Sequence, residues 1–102
     1  MIHHLVVFHL KKSTQPAQAT EVMGALAGLQ EKIPGLLSFA GGPYSSPEGL
    51  NQGFTHGFVM TFRDAAARDG YLTHPEHEKV KARILPLLEG DLRGVMAFDF
   101  EG

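Results

Sequence analysis

The segment Tyr71–His77 contains the residues with the clearest potential for chemistry, a tyrosine followed by two histidines three positions apart. Neutral imidazole titrates near physiological pH, so a histidine can remove a proton from a substrate. A tyrosine hydroxyl can bind or protonate an oxygen atom. The sequence therefore offers His77 as a candidate general base and Tyr71 as a candidate residue for holding a carbonyl oxygen.

The same histidines allow a metal site as an alternative. His74 and His77, with Glu76 or Glu78 beside them, have a spacing that a helix could use for metal ligands. A usable site needs a third ligand and an outer shell of partners, and His74 falls where a helix begins. The chain also has no cysteine, which excludes thiolate catalysis, disulfides and cysteine-ligated metals. We therefore predict no metal and no cofactor.

Two further histidines lie in segments with the alternation of β-strands, IHHLVVFHL and GFTHGFVMTF. On the even-numbered face the first segment places His4 and Phe8, and the second places His56 and Phe58. We expect these four residues to lie under the helices and to form, with the candidate base and tyrosine, a pocket for a small organic ligand. The alternative is that each histidine is a hydrogen-bonded core residue.

The elements that must position these residues follow a simple order. The predicted strands are 2–10, 36–44, 53–62 and 94–100, and the predicted helices are 16–32, 64–71 and a third from the Thr73-x-x-Glu76 capping pattern to Gly90. This β-α-β-β-α-β order is that of the ferredoxin-like α+β fold, with a four-stranded antiparallel sheet covered by helices on one side. We predict one domain spanning residues 1–102.

Both faces of the predicted sheet are apolar. The helix-covered face is assigned the bulky even positions, including Met96, Phe98 and Phe100 of the last strand. The opposite face is assigned Leu5, Val7, Val59, Val95 and Ala97. An apolar face without helices needs a partner, and packing two such sheets together would form a homodimeric α/β barrel. The protein itself is therefore the expected partner, through the sheet face.

Composition argues against several classes of partner. The formal charge is −2 and the nine Lys and Arg residues are scattered, whereas nucleic-acid and membrane-surface binding need clustered positive charge. No apolar run approaches the length of a membrane span, which is about 20 residues. The short N-terminal apolar run lacks a signal-peptide pattern. The sequence predicts a cytoplasmic protein that binds neither nucleic acid nor membrane.

The motifs H-L-V-V-F-H-L, G-F-T-H-G-F-V-M-T-F and Y-L-T-H-P-E-H together resemble the stress-responsive dimeric α/β barrel (Dabb) family from His4 to about Phe100. The resemblance implies a ferredoxin-like protomer that forms a tight homodimer through its sheets. Its olivetolic acid cyclase-like members close a linear polyketide by aldol condensation. By that resemblance His77 is the base, Tyr71 holds the substrate carbonyl, and His4 and His56 match further pocket histidines. Leu26 stands where the cyclase has a pocket tyrosine, which implies a different substrate.

Three hypotheses remain open at this stage. The first is a homodimer that binds a small organic ligand without turnover. The second is a cyclase or related lyase that uses His77 as base and Tyr71 to position the substrate. The third is a structural, stress-stabilising assembly in which the dimer itself is the working unit.

Overall fold

The computed structural model describes all of residues 1–102. Its four strands are β1 (Ile2–Phe8), β2 (Leu36–Pro43), β3 (His56–Phe62) and β4 (Val95–Glu101). Its helices are α1 (Pro16–Gly28), α2 (Ala65–Leu72) and α3 (Pro75–Ile84), with short 3-10 turns after α1, after α3 and before β4. The predicted β-α-β-β-α-β arrangement is confirmed, with α2 and α3 together forming the second helical segment.

The strands form one antiparallel sheet in the order β2-β3-β1-β4. This is the ferredoxin-like topology, in which the two central strands are β1 and β3. In β1, His4 lies opposite Met60 of β3 and Asp99 of β4, and Phe8 lies opposite His56 and Val95. These pairs fix which side chains share a face and how far apart they lie along it.

Strict alternation along β1 and β3 produces the core. The even-numbered residues Phe8, Met60 and Phe62 are at most 1% exposed, while the odd-numbered residues between them face the other side of the sheet. The helices cover this face with Leu26 of α1 and Val80 of α3. Each fully buried side chain of this kind stabilises the fold by roughly 1.5–3 kcal/mol, so the helix layer is held mainly by its apolar stripe.

Two side chains fix where the second and third helices begin. The Asp64 carboxylate accepts a hydrogen bond from the Ala67 amide at 2.9 Å. His74 Nδ1 accepts one from the Glu76 amide at 3.1 Å, with Pro75 in the first helical position. The prediction of Thr73 as the cap is therefore wrong by one residue, because the imidazole supplies the acceptor that a threonine hydroxyl would have supplied.

The third helix also ends earlier than the sequence suggests. It stops at Ile84, where Leu85 and Pro86 begin a 3-10 turn. Proline cannot continue the α-helical hydrogen-bond ladder, so the turn ends α3 several residues before Gly90.

The facing of β4 corrects one prediction. Leu5 of β1 lies opposite Phe98, so Phe98 belongs to the face without helices, together with Met96 and Phe100. Met96 is 52% exposed, Phe98 is 60% exposed and Phe100 is 50% exposed. The other face of β4 carries Val95, Ala97 and Asp99. Alternating bulk divides a strand into two faces, but only its register with the neighbouring strand tells which face the helices cover.

The helices themselves are short. None is long and apolar enough to cross a membrane.

Candidate functional site

A cavity of about 190 Å³ lies between the sheet and α3. Its wall is mostly apolar and includes Phe8 and Phe58. Four exposed residues also line it, so the cavity opens to the surface beside them: Leu72, Lys81, Leu92 and Ala97. The space that the small-ligand hypothesis requires is therefore present.

Tyr71 contributes a free hydroxyl to this cavity. The side chain comes from the last turn of α2 and is 1% exposed, with its ring centroid 5.6 Å from that of His4 and 4.2 Å from that of His77. No protein atom is hydrogen-bonded to its hydroxyl. Burial, and to a lesser degree the negative charge of Asp99, raise the pKa of Tyr71. The phenol therefore stays protonated and can donate a hydrogen bond to a ligand oxygen.

His77 presents a free nitrogen to the same cavity. Its Nδ1 lies 3.3 Å from the carbonyl oxygen of Leu72. A carbonyl can only accept, so this contact places a proton on Nδ1 and leaves Nε2 with its lone pair and no partner in the protein. Burial lowers the pKa of His77, Lys81 lowers it further, and the Leu72 carbonyl opposes them only in part. A neutral imidazole at neutral pH has the form that a base requires.

His4 is held by a chain of charged groups. Its Nδ1 donates to Asp99 Oδ1 at 2.6 Å, and Arg68 donates to Asp99 Oδ2 at 2.7 Å. Burial would raise the pKa of Asp99, but the hydrogen bonds from His4 and Arg68 outweigh it and hold that pKa below its ordinary value. Because His4 is only 7% exposed, the carboxylate fixes the orientation of its ring and turns Nε2 away from itself.

Asp99 and Arg68 are the site residues that sequence reasoning missed. The predicted facing of the last strand turns the Asp99 carboxylate away from the helices, and therefore also away from Arg68 of α2. The antiparallel pairing of β1 with β4 contains the missing signal, since it puts His4 directly opposite Asp99. A buried histidine beside a carboxylate is a common way to fix an imidazole tautomer.

His56 does not line the cavity. Its ring stacks on Phe8, with centroids 5.8 Å apart, and its Nδ1 is 2.9 Å from Thr55 Oγ1. His56 pairs with Phe8, whereas His4 lies four residues back along β1, which is about 13 Å of extended chain. The alternation along the strand correctly predicted which face of the sheet His56 is on. It could not predict how far His56 lies from His4 along that face.

The alternative metal site is not assembled. His74 uses Nδ1 to cap α3. Nowhere in the chain do three His, Asp or Glu side chains come together in a way that could hold a metal ion. The histidine spacing at 74 and 77 is explained by helix initiation and by the cavity wall.

The fold and the site together define a ferredoxin-like α+β protein with a small cavity between the sheet and α3, lined by apolar side chains and a few polar ones. Residues 2–102 match the family described as Stress responsive A/B Barrel Domain (Dabb), and the chain belongs to that family. This confirms the resemblance seen in the sequence motifs.

Two Arabidopsis thaliana proteins are similar in sequence. The stress-response A/B barrel domain-containing protein HS1 is 29% identical over 100 residues, covering 98% of this chain and 88% of that protein. The stress-response A/B barrel domain-containing protein At5g22580 is 34% identical over 90 residues, covering 84% and 76%. Among solved structures, a dimeric ferredoxin-like protein of unknown function from Jannaschia sp. CCS1 has a TM-score of 0.88 and 30% identity, covering 99% of this chain and 98% of that one.

Proposed function

We propose that this Dabb protein binds a small organic molecule in the cavity lined by His4, Tyr71 and His77. One observation carries the proposal. The Tyr71 hydroxyl, His77 Nε2 and His4 Nε2 have no partner in the protein, although all three side chains line a cavity whose only other polar side chain is Lys81. A polar atom that faces an apolar cavity gains from a hydrogen-bond partner, so a group of unpartnered ones suits a ligand that supplies those hydrogen bonds.

The cavity also indicates the size and chemistry of that ligand. An engineered apolar cavity of about 150 Å³ binds benzene, so the volume of about 190 Å³ suits one ring with a short substituent. The phenol donates and the neutral imidazole of His77 accepts. A hydroxyl on a ring fits both properties, whereas a carbonyl oxygen on a ring accepts from the Tyr71 hydroxyl only. The Phe8 and Phe58 side chains suit the ring itself.

Binding of acetophenone, an aromatic ketone of this size, tests the proposal. We expect saturable chemical-shift changes at the cavity residues in ¹⁵N–¹H spectra, and about tenfold weaker binding by Tyr71→Phe because one hydrogen bond to the ketone is lost. The matched control is Tyr44→Phe, which removes the hydroxyl of the other tyrosine, a partly exposed residue outside the cavity. Equal weakening by both variants, or no saturable binding at all, contradicts the proposal.

We also propose that the protein is a homodimer formed through the open face of its sheet. Met96, Phe98, Phe100 and Val59 give this face large apolar side chains that are between 37% and 60% exposed in the protomer. A contiguous apolar patch of this kind is typical of an interface. The Jannaschia relative is described as dimeric, which supports the same assembly here. Cytoplasmic localisation stays a prediction from the sequence.

A second candidate is an enzyme, a cyclase or related lyase, that removes a proton α to a carbonyl. The neutral His77 and the protonated Tyr71 favour it, since they are the two groups the step requires. In this step the α C–H proton moves to His77 Nε2, and the enolate oxygen that forms accepts a hydrogen bond from the Tyr71 hydroxyl. Asp99 orients the His4 ring, which makes its unpartnered Nε2 a third polar group of the same cavity.

Proton–deuterium exchange tests this candidate without knowledge of the natural substrate. We expect the protein to accelerate exchange of the α protons of phenylacetone in D₂O, measured by ¹H NMR. His77→Ala should lower that rate by about 10²- to 10⁴-fold, the usual contribution of a general base. The rate of the wild type should fall only below the ordinary histidine pKa of about 6.5, because burial lowers the pKa of His77.

The control for the exchange experiment is His9→Ala, which removes a histidine that lies outside the cavity. Equal rates in the wild type and His77→Ala would exclude His77 as the base. The binding proposal would then stand alone.

A further inference from the structure

The side chains on the open face of the sheet grow in size from one edge of the sheet to the other. The edge strand β2 puts only small residues on this face, at the positions that pair with the odd-numbered residues of β3: Ser38, Ala40 and Gly42. The opposite edge strand, β4, puts large ones there: Met96, Phe98 and Phe100. The two central strands carry Val59 and Leu5 between them. The open face is therefore a wedge, low along β2 and high along β4.

A pocket of about 420 Å³ lies at one end of this face, where β2 ends and β3 begins. Gly42 and Gly57, which pair with each other, both line it. A Cβ added at Gly42 would meet no atom within 4 Å, so the space above this glycine is empty in the protomer. Val7 and Met96 of the open face line the same pocket, which makes the pocket part of that face.

Two copies of this wedge can face each other in two simple ways. A two-fold interface brings the same surface of both copies together. With the axis across the strands, β4 would lie on β4, so its large side chains would hold the sheets apart and leave a gap along β2. With the axis along the strands, the high side of each copy lies on the low side of the other. The core of an interface is packed as closely as a protein interior, which favours the second arrangement.

We infer that in the homodimer β4 of each protomer packs on β2 of its partner, and that Met96 of the partner subunit fills the pocket at Gly42. The inference rests on the homodimer proposed above and adds its orientation. An axis along the strands keeps residues at the same level of the sheet, and Met96 is level with Gly42 through the pairs that Val7 and Gly57 make. The unbranched thioether side chain of methionine adapts well to an irregular pocket.

Cross-linking with bismaleimidoethane tests the orientation, because the chain has no cysteine of its own. Gly42→Cys and Met96→Cys are prepared as separate proteins and mixed so that their protomers exchange. We expect a covalent dimer from the mixture and almost none from either protein alone, since β2 and β4 are opposite edges and lie about 14 Å apart across the sheet. Strong cross-linking of Phe98→Cys to itself would show β4 lying on β4 and would overturn the orientation.

Filling the pocket gives an independent readout. Gly42→Leu should raise the dissociation constant of the dimer at least tenfold, measured by sedimentation velocity, because the added side chain overpacks a contact that the interface contains twice. Gly24→Leu is the matched control, since Gly24 is an exposed glycine of α1 where an added Cβ also meets no atom within 4 Å. This variant should keep the dissociation constant of the wild type.

A second substitution tests the contact between the two residues. Adding Met96→Ala to Gly42→Leu should lower the dissociation constant severalfold from that of Gly42→Leu alone, because the smaller side chain makes room for the leucine. An unchanged dissociation constant in Gly42→Leu, or no recovery in the double variant, overturns the assignment of Met96 to the pocket.

The outcomes separate this inference from the proposal on which it rests. A monomeric wild type contradicts the homodimer itself and overturns both. The interface on the open face stands, and only the orientation is overturned, if the wild type is a dimer that Phe98→Asp dissociates while the mixture of Gly42→Cys and Met96→Cys does not cross-link.

Discussion

Phe98→Asp is expected to convert the protein from a dimer to a monomer at micromolar concentration. Phe98 is 60% exposed in the protomer and lies opposite Leu5 on the open face of the sheet. A two-fold interface would contain the substitution twice, and each buried carboxylate without a partner costs several kcal/mol. We expect the dissociation constant of the dimer to rise by about a thousandfold or more, which sedimentation velocity measures.

The matched control is Leu72→Asp. Leu72 is another large apolar residue that is 43% exposed, but it belongs to α2 in the helix layer. This variant should remain a dimer. Far-UV circular dichroism of Phe98→Asp should stay like that of the wild type, since the side chain is not part of the protomer core. A wild type that is monomeric, or a Phe98→Asp variant that stays dimeric, contradicts the proposed interface.

Asp99→Ala is expected to destabilise the fold by about 2 kcal/mol, because it leaves the buried His4 Nδ1–H without an acceptor. The free energy of unfolding in urea, at fixed protein concentration, measures the effect. Asp69→Ala is the matched control, since Asp69 also pairs with Arg68, at 2.8 Å, but its side chain is 67% exposed. Exposed ion pairs contribute at most about 1 kcal/mol, so this variant should lose far less stability.

The effect of Asp99→Ala on the free energy of unfolding should depend on pH. The pKa of Asp99 is lower in the folded protein than its ordinary value, so its contribution to stability is complete above the unfolded pKa of about 3.9. That contribution is lost as the pH falls through the folded pKa. The stability difference between the wild type and Asp99→Ala should therefore be constant from about pH 5 to 7 and shrink below about pH 4. A difference that persists at pH 3 would contradict the ionised pair.

The sequence predicted the topology because hydrophobic periodicity and turn residues act locally. The alternation in the first and third strands placed His4, Phe8 and Phe58 on the helix-covered face, where the structure also has them. The Tyr71 and His77 rings lie 4.2 Å apart because one short turn between helices brings them together. These features depend on neighbours in sequence, which a single chain displays directly.

Features that depend on distant residues were predicted less well. The face of β4 and the contact of Asp99 with His4 depend on the register between strands about 95 residues apart in sequence. His56 has the predicted parity, yet it pairs with Phe8 rather than lying beside His4. The large apolar side chains of Phe98 and Phe100 suggested burial within the protomer. An apolar residue type is the same in a protomer core and in an interface between protomers, so the sequence alone does not distinguish the two.

The most direct test of a ligand site at Tyr71 and His77 is the crystal structure of the protein soaked with acetophenone. We predict electron density for one ring in the cavity, with the ketone oxygen within hydrogen-bond distance of the Tyr71 hydroxyl and the ring against Phe8 and Phe58. A cavity that stays empty when the ketone is saturating, or density for the ketone only elsewhere on the protein, would contradict the proposed site.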